Sequence, residues 1–344
     1  MSGPEFFIDD SDSDAAAGAA VAEQPLPLRE SRNRPVLVTG AAGMVGTHLC
    51  SELVKSGWRV RALVRDSGKA VTRLGHLDLE TRVGDIRDSD TMRSAAEGCG
   101  SVIHLAAIAI EKAGESYEST NADATAIVIE AATAAGIDRI IHMSQNGADS
   151  ESPHPFLRSK GIAQDRVTSS ALRWTVLRPS VIFGPEDEFV NVLGRLVRLS
   201  PVVFPLPGGG TARFQPISVY DVAKVLRAVL GNPATSERIY PLGGSTPLTL
   251  RQMTERILIA MHASRILVSV PVKALRPVVG ITQAVLPRPP VTTGLLDLLD
   301  IDNVVPDNAI SEFHIEPVPF APEELLYLRK ITFGSALKSL CGKS

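Results

Sequence analysis

The segment Val38-Thr39-Gly40-Ala41-Ala42-Gly43-Met44-Val45-Gly46 is a GxxGxxG turn between a short apolar strand and a predicted helix. Gly40 permits a tight turn, Gly43 lets the backbone approach a pyrophosphate, and Gly46 allows the helix to pack closely on the sheet. Amide groups at the start of the helix would then face anionic phosphates. The pattern predicts a dinucleotide-binding site in which the loop contacts the cofactor through Gly40, Ala42, Gly43, Met44 and Val45.

Short β-branched runs alternate with amphipathic helical patterns after Pro35. We predict strands at 36–38, 59–64, 81–83, 101–105, 139–143 and 174–177, and helices at 45–56, 91–97, 121–135 and 159–169. This alternation indicates a parallel sheet covered on both faces. The sequence therefore predicts an α/β fold, a Rossmann-type doubly wound parallel sheet with a smaller C-terminal substrate or partner lobe.

The composition divides the chain into three regions. Residues 1–34 are rich in Asp, Ala and Ser and match neither a secretory signal nor a transit peptide, so we predict a disordered acidic tail. Residues 35–185 form the predicted NAD(P)-binding domain, its sheet completed by parts of 211–245. Residues 186–344 form the smaller lobe, where we predict a Pro/Gly-rich loop at 201–210 and helices at 189–199, 219–231 and 249–262.

The bulk composition excludes several classes of function. A net charge of −3 argues against a nucleic-acid partner, because phosphates would not be neutralised. Cys50, Cys99 and Cys341 are far apart and form no CxxC pair, so neither a disulfide nor a metal site is expected. We therefore expect a protein of a reducing compartment, the cytoplasm, that binds no metal.

The residue at the end of the second strand indicates which dinucleotide is bound. Arg65 stands where NAD-selective sites place an acid, and an arginine there accommodates the 2′-phosphate of NADP(H). Arg61 could assist Arg65. NADP(H) is therefore favoured, but NAD(H) stays open because Asp66 could bind the ribose.

Two further segments are predicted to line the cofactor. Asp85 and Ile86 follow the third strand, where they could meet the adenine. Leu105, Ala106 and Ala107 lie at the C-terminal end of the fourth strand, where open α/β sheets bind ligands. Simple packing is the alternative for each segment.

These motifs together resemble the extended or atypical short-chain dehydrogenase/reductase family over about residues 35–230. The matching motifs are TGAAGMVG (39–46), GDIRD (84–88), VIHLAA (102–107), Asn121 with Thr125, MSQNGAD (143–149), RSK (158–160), LRPSVIFGP (177–185) and PISVYDVA (216–223). PPVTT (289–293), LLDIDNVV (298–305) and FHIEPVPF (313–320) narrow the resemblance to the branch containing accessory subunit nine of the respiratory complex I alpha subcomplex and its bacterial relatives. That branch implies a nucleotide-binding protein, often catalytically silent, near quinone chemistry or membrane assemblies.

The resemblance also implies the catalytic positions and one departure from them. Ser144 matches the family's substrate-steadying serine, and Lys160 matches the lysine that holds the nicotinamide ribose. Pro179 and Val181 would place backbone near the nicotinamide. The family's tyrosine, four residues before the lysine, is Phe156 here, and a phenyl ring has no proton to transfer.

Several other residues have weaker interpretations. His154 could act as a surrogate acid, although a solvated loop histidine is the alternative, and Tyr117 and Tyr220 match no catalytic position. Asn121 is expected to be structural, and Asp221 is expected to cap the following helix. A further expectation places Arg213-Phe214 at the border of the substrate pocket, and plain loop packing is the alternative both for this pair and for Pro179 and Val181.

Two hypotheses of function remain. In the first, the chain is an accessory or regulatory nucleotide-binding factor linked to respiratory or quinone metabolism. In the second, it is an active NAD(P)-dependent oxidoreductase or epimerase that acts on a hydrophobic, isoprenoid- or quinone-like substrate or on a sugar nucleotide.

A basic and apolar segment raises the question of a membrane or respiratory-complex partner. Residues 256–296 carry Arg256, Arg265, Lys273, Arg276 and Arg288 without any Asp or Glu, and their apolar runs are too short for a spanning helix. Such a segment can lie on an anionic membrane, which would make the protein peripheral on the inner face. A buried amphipathic helix with solvated basic edges is the alternative.

Overall fold

The computed structural model describes residues 33–111, 114–286, 289, 291–299 and 301–340. Most of the predicted acidic tail (residues 1–32), Cys341 and the basic residue Arg288 lie outside the described residues. Within them, Cys50 and Cys99 are buried free thiols.

A parallel sheet of seven strands forms the centre of the described chain. Its order is β11-β6-β5-β4-β1-β2-β3. The strands are β1 (Val36–Thr39), β2 (Val60–Val64), β3 (Glu80–Val83), β4 (Ser101–His104), β5 (Arg139–Met143), β6 (Arg173–Pro179) and β11 (Arg238–Leu242). The order reverses direction between β1 and β4, and open α/β sheets bind ligands at the carboxyl ends of strands beside such a switch point.

Helices cover both faces of this sheet, as the doubly wound prediction requires. They are α1 (Met44–Lys55), α2 (Ser67–Leu74), α3 (Ser89–Ala96), α4 (Ala124–Ala134), α5 (Pro155–Thr168) and α7 (Val219–Leu230). One apolar core joins α1 and α7 to the sheet, and a second joins α3 and α4 to its opposite face. The predicted Rossmann-type α/β fold is confirmed.

A third core organises the C-terminal part of the chain. It is built around α6 (Val190–Leu199), α8 (Leu250–Ala260) and a 3₁₀ helix at Pro322–Lys330. The remaining elements include the short strands β7 (Ile182–Phe183), β9 (Arg213–Phe214), β10 (Ile217–Ser218) and β12 (Leu248–Thr249), the helices α9 (Val272–Val285), α10 (Thr293–Leu298) and α11 (Phe333–Leu340), and a 3₁₀ helix at Ala309–Phe313.

The predicted loop at 201–210 is wrong for its central part. Val203–Pro207 is a strand, β8, that pairs in parallel with β13 (Ile266–Val270). A proline cannot donate to a strand ladder and is tolerated at the edge of a sheet, so this two-stranded sheet accommodates Pro205 and Pro207. The partner strand lies about 60 residues further along the chain, beyond the reach of local sequence patterns.

Two helices begin earlier than predicted. The helix placed at 121–135 begins with a π-helical turn over Glu118–Asp123, whose last three residues lie within the prediction, and its α-helical part, α4, begins at Ala124. The helix placed at 159–169 begins at Pro155, because proline is favoured in the first turn of a helix, where its missing N–H costs nothing.

The sequence suggested that Asp221 caps the helix α7, but the structure shows a different cap. Ser218 is the N-cap and accepts a hydrogen bond from the backbone N–H of Tyr220. Asp221 lies in the first turn, fully buried, where its carboxylate accepts from Lys224 Nζ and from the backbone N–H of Val318. It therefore ties the C-terminal segment to the half that contains the seven-stranded sheet.

Candidate dinucleotide site

The glycine loop after β1 has the close contacts that its sequence predicts. Gly40 has a φ of 71°, and a Cβ there would lie 2.8 Å from the backbone N of Ala106. A Cβ on Gly46 would lie 2.2 Å from the carbonyl oxygen of Gly40 and 2.6 Å from that of Ala41. Side chains at either position would collide with backbone atoms, so only glycine fits this turn and this approach of α1 to the loop.

The loop leaves the first turn of α1 open to an anion. Gly43 is exposed at the loop tip, and no side chain caps the helix behind it. The first turn carries no acidic residue, whereas Asp66 and Asp88 cap the helices α2 and α3. A positive helix end without a capping carboxylate suits a diphosphate, so the loop residues Ala42, Gly43, Met44 and Val45 fit the predicted dinucleotide.

The charged residues around β2 divide into those facing the site and those engaged elsewhere. The guanidinium of Arg65 forms an ion pair with Glu115, and half of its side chain remains exposed. Asp66 accepts from the backbone N–H of Lys69 as the cap of α2, so its carboxylate already has a structural role. Arg61 is bound to Glu80 and to the carbonyl oxygens of Ala95 and Glu97, which leaves it unable to assist Arg65.

Asp85 and Ile86, shortly after β3, differ in the exposure of their side chains. The Asp85 carboxylate is paired with Arg87 at 2.7 Å, and this hydrogen bond is the main reason why the pKa of Asp85 lies below its ordinary value. The Ile86 side chain is buried in the core beneath the sheet. The Asp85 carboxylate is therefore engaged by Arg87, and contact of Asp85 or Ile86 with an adenine stays a prediction.

The end of β4 forms the wall opposite the glycine loop. The backbone of Ala106 packs against Gly40, and its N–H donates to Thr39 Oγ1 at 3.4 Å. Leu105 is buried, Ala106 half-buried and Ala107 exposed. The small side chains of Ala106 and Ala107 allow this close approach of the two strand ends.

Lys160 lies beneath the predicted catalytic centre. Its side chain is buried on α5, and Nζ donates to the carbonyl oxygen of Met143 at 2.7 Å. Burial lowers the pKa of Lys160 to about 8. The next residue after Met143 is Ser144, whose buried Oγ has no hydrogen-bond partner among the described residues. The structure therefore brings Lys160 to the strand end that carries Ser144.

An aromatic pair occupies the position of the missing tyrosine. Phe156 is half-buried one turn before Lys160, and its ring centroid lies 5.7 Å from that of Tyr117 at an interplanar angle of 61°. The Tyr117 hydroxyl donates to the carbonyl oxygen of Ala109 at 2.8 Å. Burial, with a smaller contribution from Glu111, raises the pKa of Tyr117 to about 12. The sequence missed this contact, because no motif links the two positions.

Two buried histidines beneath the site were also not singled out from the sequence. His104 and His142 stack at 5.3 Å between ring centroids at the ends of β4 and β5. His104 contacts Thr39 Oγ1 and Thr125 Oγ1, whereas both ring nitrogens of His142 lack a partner among the described residues. Burial, assisted by the charge of Lys160, lowers the pKa of His104 to about 3 and that of His142 well below its ordinary value.

Asn121 and the loops near the expected nicotinamide end have mainly positioning contacts. The Asn121 side chain accepts from the backbone N–H of Ile108 at 2.8 Å and donates to Ser159 Oγ at 3.0 Å. This joins the loop after β4 to α5, in agreement with the structural role expected for it. Pro179 and half-buried Val181 flank the buried Ser180, whose hydroxyl donates to the carbonyl oxygen of Asn303.

Other residues singled out by sequence have structural partners. Arg213 is paired with Asp302 at 2.7 Å, and Phe214 is buried in the C-terminal core. His154 is half-buried before the first turn of α5, without capping it through its side chain. These contacts leave the expected place of Arg213-Phe214 at the border of the substrate pocket a prediction.

Comparison with known families agrees with this geometry. A family model described as NAD(P)H-binding matches residues 40–233, from the first glycine of the loop to just beyond the end of α7. The chain belongs to the NAD(P)H-binding family. The predicted resemblance to a nicotinamide-dinucleotide-binding family is confirmed, and relatives named complex I alpha subcomplex subunit 9 agree with the branch that the sequence indicated.

Curated relatives of this NAD(P)H-binding chain carry different names. It is 32% identical over 224 residues to NADH dehydrogenase [ubiquinone] 1 alpha subcomplex subunit 9, mitochondrial, from Arabidopsis thaliana, covering 63% of this chain and 56% of that protein. It is 33% identical over 199 residues to a ceramide reductase from Caulobacter vibrioides, covering 58% of this chain and 61% of that one. The chain therefore spans less than two thirds of either relative.

A solved structure with the same fold is a UDP-glucuronic acid 4-epimerase from Bacillus cereus, in complex with UDP-glucuronic acid and NAD. The TM-score is 0.66 at 19% sequence identity, with 86% of this chain and 99% of that chain covered. At this identity the similarity establishes the fold and leaves the substrate open.

Proposed function

We propose that the chain binds NADP(H) through the glycine loop and Arg65, and holds it without the family's proton relay. The observation that supports this most directly is Phe156 on the same helix face as Lys160, one turn earlier. A bound nicotinamide supplies a hydride, but reduction of a carbonyl also needs a proton at the oxygen. The phenyl ring of Phe156 has none to give.

The remaining site residues are suited to holding a dinucleotide. Lys160, Ser144 and the backbone near Pro179 and Val181 would hold the nicotinamide ribose and amide. The Lys160 ammonium, with a pKa lowered to about 8 by burial, could hydrogen-bond ribose hydroxyls without needing a carboxylate partner. In this proposal the chain is an accessory or regulatory factor linked to respiratory or quinone metabolism.

Calorimetry and rapid kinetics on the purified full chain test this proposal. We expect saturable binding of NADPH and no fast oxidation of it in stopped-flow absorbance with a panel of quinones and aldehydes. Lys160→Ala should weaken NADPH binding. Absence of heat with both NADPH and NADH would remove the proposal, and robust turnover would remove its accessory part.

The active-enzyme hypothesis remains the second candidate, supported by the relative named ceramide reductase. In that case the substrate is hydrophobic, isoprenoid- or quinone-like, or a sugar nucleotide, and another group donates the proton. His154 would be the first side chain to replace, since it lies on the loop before Phe156. Turnover in the stopped-flow panel that is lost in His154→Gln would favour this candidate.

A partner surface is proposed on the helix α9. No α9 side chain is buried, and Val278, Ile281 and Val285 expose more than half of their surface. Lys273 is exposed on the same helix, while Arg276 is paired with Asp297. In the described residues, every helix is too short or too polar to span a bilayer. We propose that α9 docks on an anionic membrane surface or on a respiratory-complex partner. In this proposal the protein is cytoplasmic and associates peripherally with the inner face of the membrane.

A further inference from the structure

Glu115 connects two parts of the nucleotide crevice that are distant in sequence. It lies on the segment after β4, and its carboxylate is paired with the guanidinium of Arg65, which follows β2. The Glu115 side chain is 17% exposed, against 50% for Arg65. The sheet order places β1 between these two strands, so the contact crosses the switch point.

A second guanidinium faces the same carboxylate. Arg87 donates to the carbonyl oxygen of Gly114 at 2.7 Å and to Asp85 at 2.7 Å. The charge of Glu115 contributes to raising the pKa of Arg87, after the larger effect of its bond to Asp85. Glu115 therefore brings one negative charge to the pair of arginines that follow β2 and β3.

An adenosine 2′-phosphate is recognised by the same chemistry. Arginine binds carboxylates and phosphates through the same fork of N–H donors, so either anion can satisfy a given guanidinium. At the end of the second strand of a Rossmann fold, an arginine takes the 2′-phosphate that distinguishes NADP(H) from NAD(H). In this chain that arginine, Arg65, is already paired with a carboxylate of the same protein, that of Glu115.

We infer that Glu115 is an internal competitor for Arg65 and sets the selectivity between NADP(H) and NAD(H). The inference rests on the proposed binding of NADP(H) at this loop. A 2′-phosphate on Arg65 would either displace the Glu115 carboxylate or lie beside it and be repelled by its charge, whereas the uncharged 2′-hydroxyl of NAD(H) leaves the ion pair in place. Glu115 thus lowers the preference for NADP(H) that Arg65 alone would give.

Calorimetric titration of the full chain with NADPH and with NADH tests the inference. Glu115→Gln removes the competing charge and keeps the size of the side chain. We expect it to strengthen NADPH binding about two- to fivefold, the range that exposed ion pairs usually provide, and to change NADH binding less. Glu118→Gln, an exposed neighbour on the same segment, is the matched control and should leave the ratio of the two affinities unchanged.

Two additional measurements isolate the arginine. In an Arg65→Ala background, Glu115→Gln should give no further gain in NADPH affinity. Adenosine 2′,5′-bisphosphate should gain affinity from Glu115→Gln, while adenosine 5′-monophosphate should not, and these fragments report without any nicotinamide chemistry. Melting temperatures of all variants verify that the fold is retained.

The outcomes separate this inference from the proposed function. If the wild-type chain binds neither dinucleotide, the proposed function fails. If it binds NADPH but Glu115→Gln leaves the NADPH to NADH ratio unchanged, the competitor role of Glu115 is overturned and the proposed function stands. A gain that persists in the Arg65→Ala background also overturns it, because the effect would then not act through Arg65.

Discussion

The rings of Tyr117 and Phe156 meet edge to face, with their centroids 5.7 Å apart, at the helix position from which the family's tyrosine would donate its proton. The Tyr117 hydroxyl is held by the carbonyl oxygen of Ala109. A phenol is therefore present near this position but donates to the backbone.

Phe156→Tyr is expected to create a proton donor one turn from Lys160. If the proposed site is correct, carbonyl reduction with NADPH should rise about 100-fold or more, the usual value of positioned acid–base catalysis. The measurement is the loss of nicotinamide absorbance with a panel of carbonyl substrates. Phe156→Leu is the control and should remain inactive. Equal rates for the wild type and Phe156→Tyr would contradict the assignment of this position.

Gly46→Ala is expected to separate the loop from α1. Its Cβ would lie 2.2 Å from the Gly40 carbonyl oxygen, so the backbone must shift, and such overpacking typically costs about 1–3 kcal/mol. Urea unfolding gives the stability, and calorimetry gives the NADPH affinity, which should fall. Gly280→Ala, in a helix where an added Cβ meets nothing within 4 Å, should stabilise slightly. Similar behaviour of both variants would contradict the close contact.

His142 is expected to make the protein sensitive to acid. Its pKa and that of His104 are lowered in the fold, so the unfolded chain binds protons that the folded chain does not as pH falls below about 6.5. Stability is then fully present above pH 6.5 and declines on acidification, by about 1.4 kcal/mol per pH unit for each histidine.

The variant His142→Leu tests this coupling by urea unfolding between pH 7 and pH 5. Because both ring nitrogens of His142 lack partners among the described residues, an apolar replacement should be tolerated at pH 7. The variant should lose less stability than the wild type on acidification. Parallel pH profiles of stability for the two proteins would show that the pKa of His142 is not lowered by folding.

Ile281→Glu is expected to weaken binding to a membrane surface. Ile281 is 65% exposed on α9, beside Val278 and Val285, and a carboxylate there opposes both apolar contact and anionic lipid. Co-sedimentation with phosphatidylglycerol vesicles measures the bound fraction. Val71→Glu, at a position of similar exposure on α2, is the control. If neither substitution changes the bound fraction, α9 is not the docking face.

The sequence predicted the sheet and the glycine loop because each depends on local patterns. Strand and helix periodicity located every strand of the first half, and Gly40 and Gly46 have the contacts that their spacing implies. The family resemblance supplied the roles of Lys160 and Phe156, which no periodicity could give.

The remaining features depend on pairings between distant residues. The strand β8 exists because β13 lies beside it, and a Pro-containing run gives no local sign of that partner. The ion pair between Glu115 and Arg65 joins residues that are 50 positions apart in the sequence. Arg61 is hydrogen-bonded to Glu80 and is therefore not free to assist Arg65. Asp221 was expected at a helix cap, but Ser218 is closer to the helix start and the buried carboxylate has the more distant Val318 as its partner.

Residues 302–320 pass from one half of the molecule to the other. Asn303 meets Asn146 and Ser180, Ile310 enters the core shared by α1 and α7, and Phe320 enters the C-terminal core. Because this segment contributes to both cores, we expect the two halves to unfold together. A chain truncated after residue 300 would leave apolar surface of both cores exposed to water. Thermal unfolding of the intact chain is therefore expected to be a single cooperative transition.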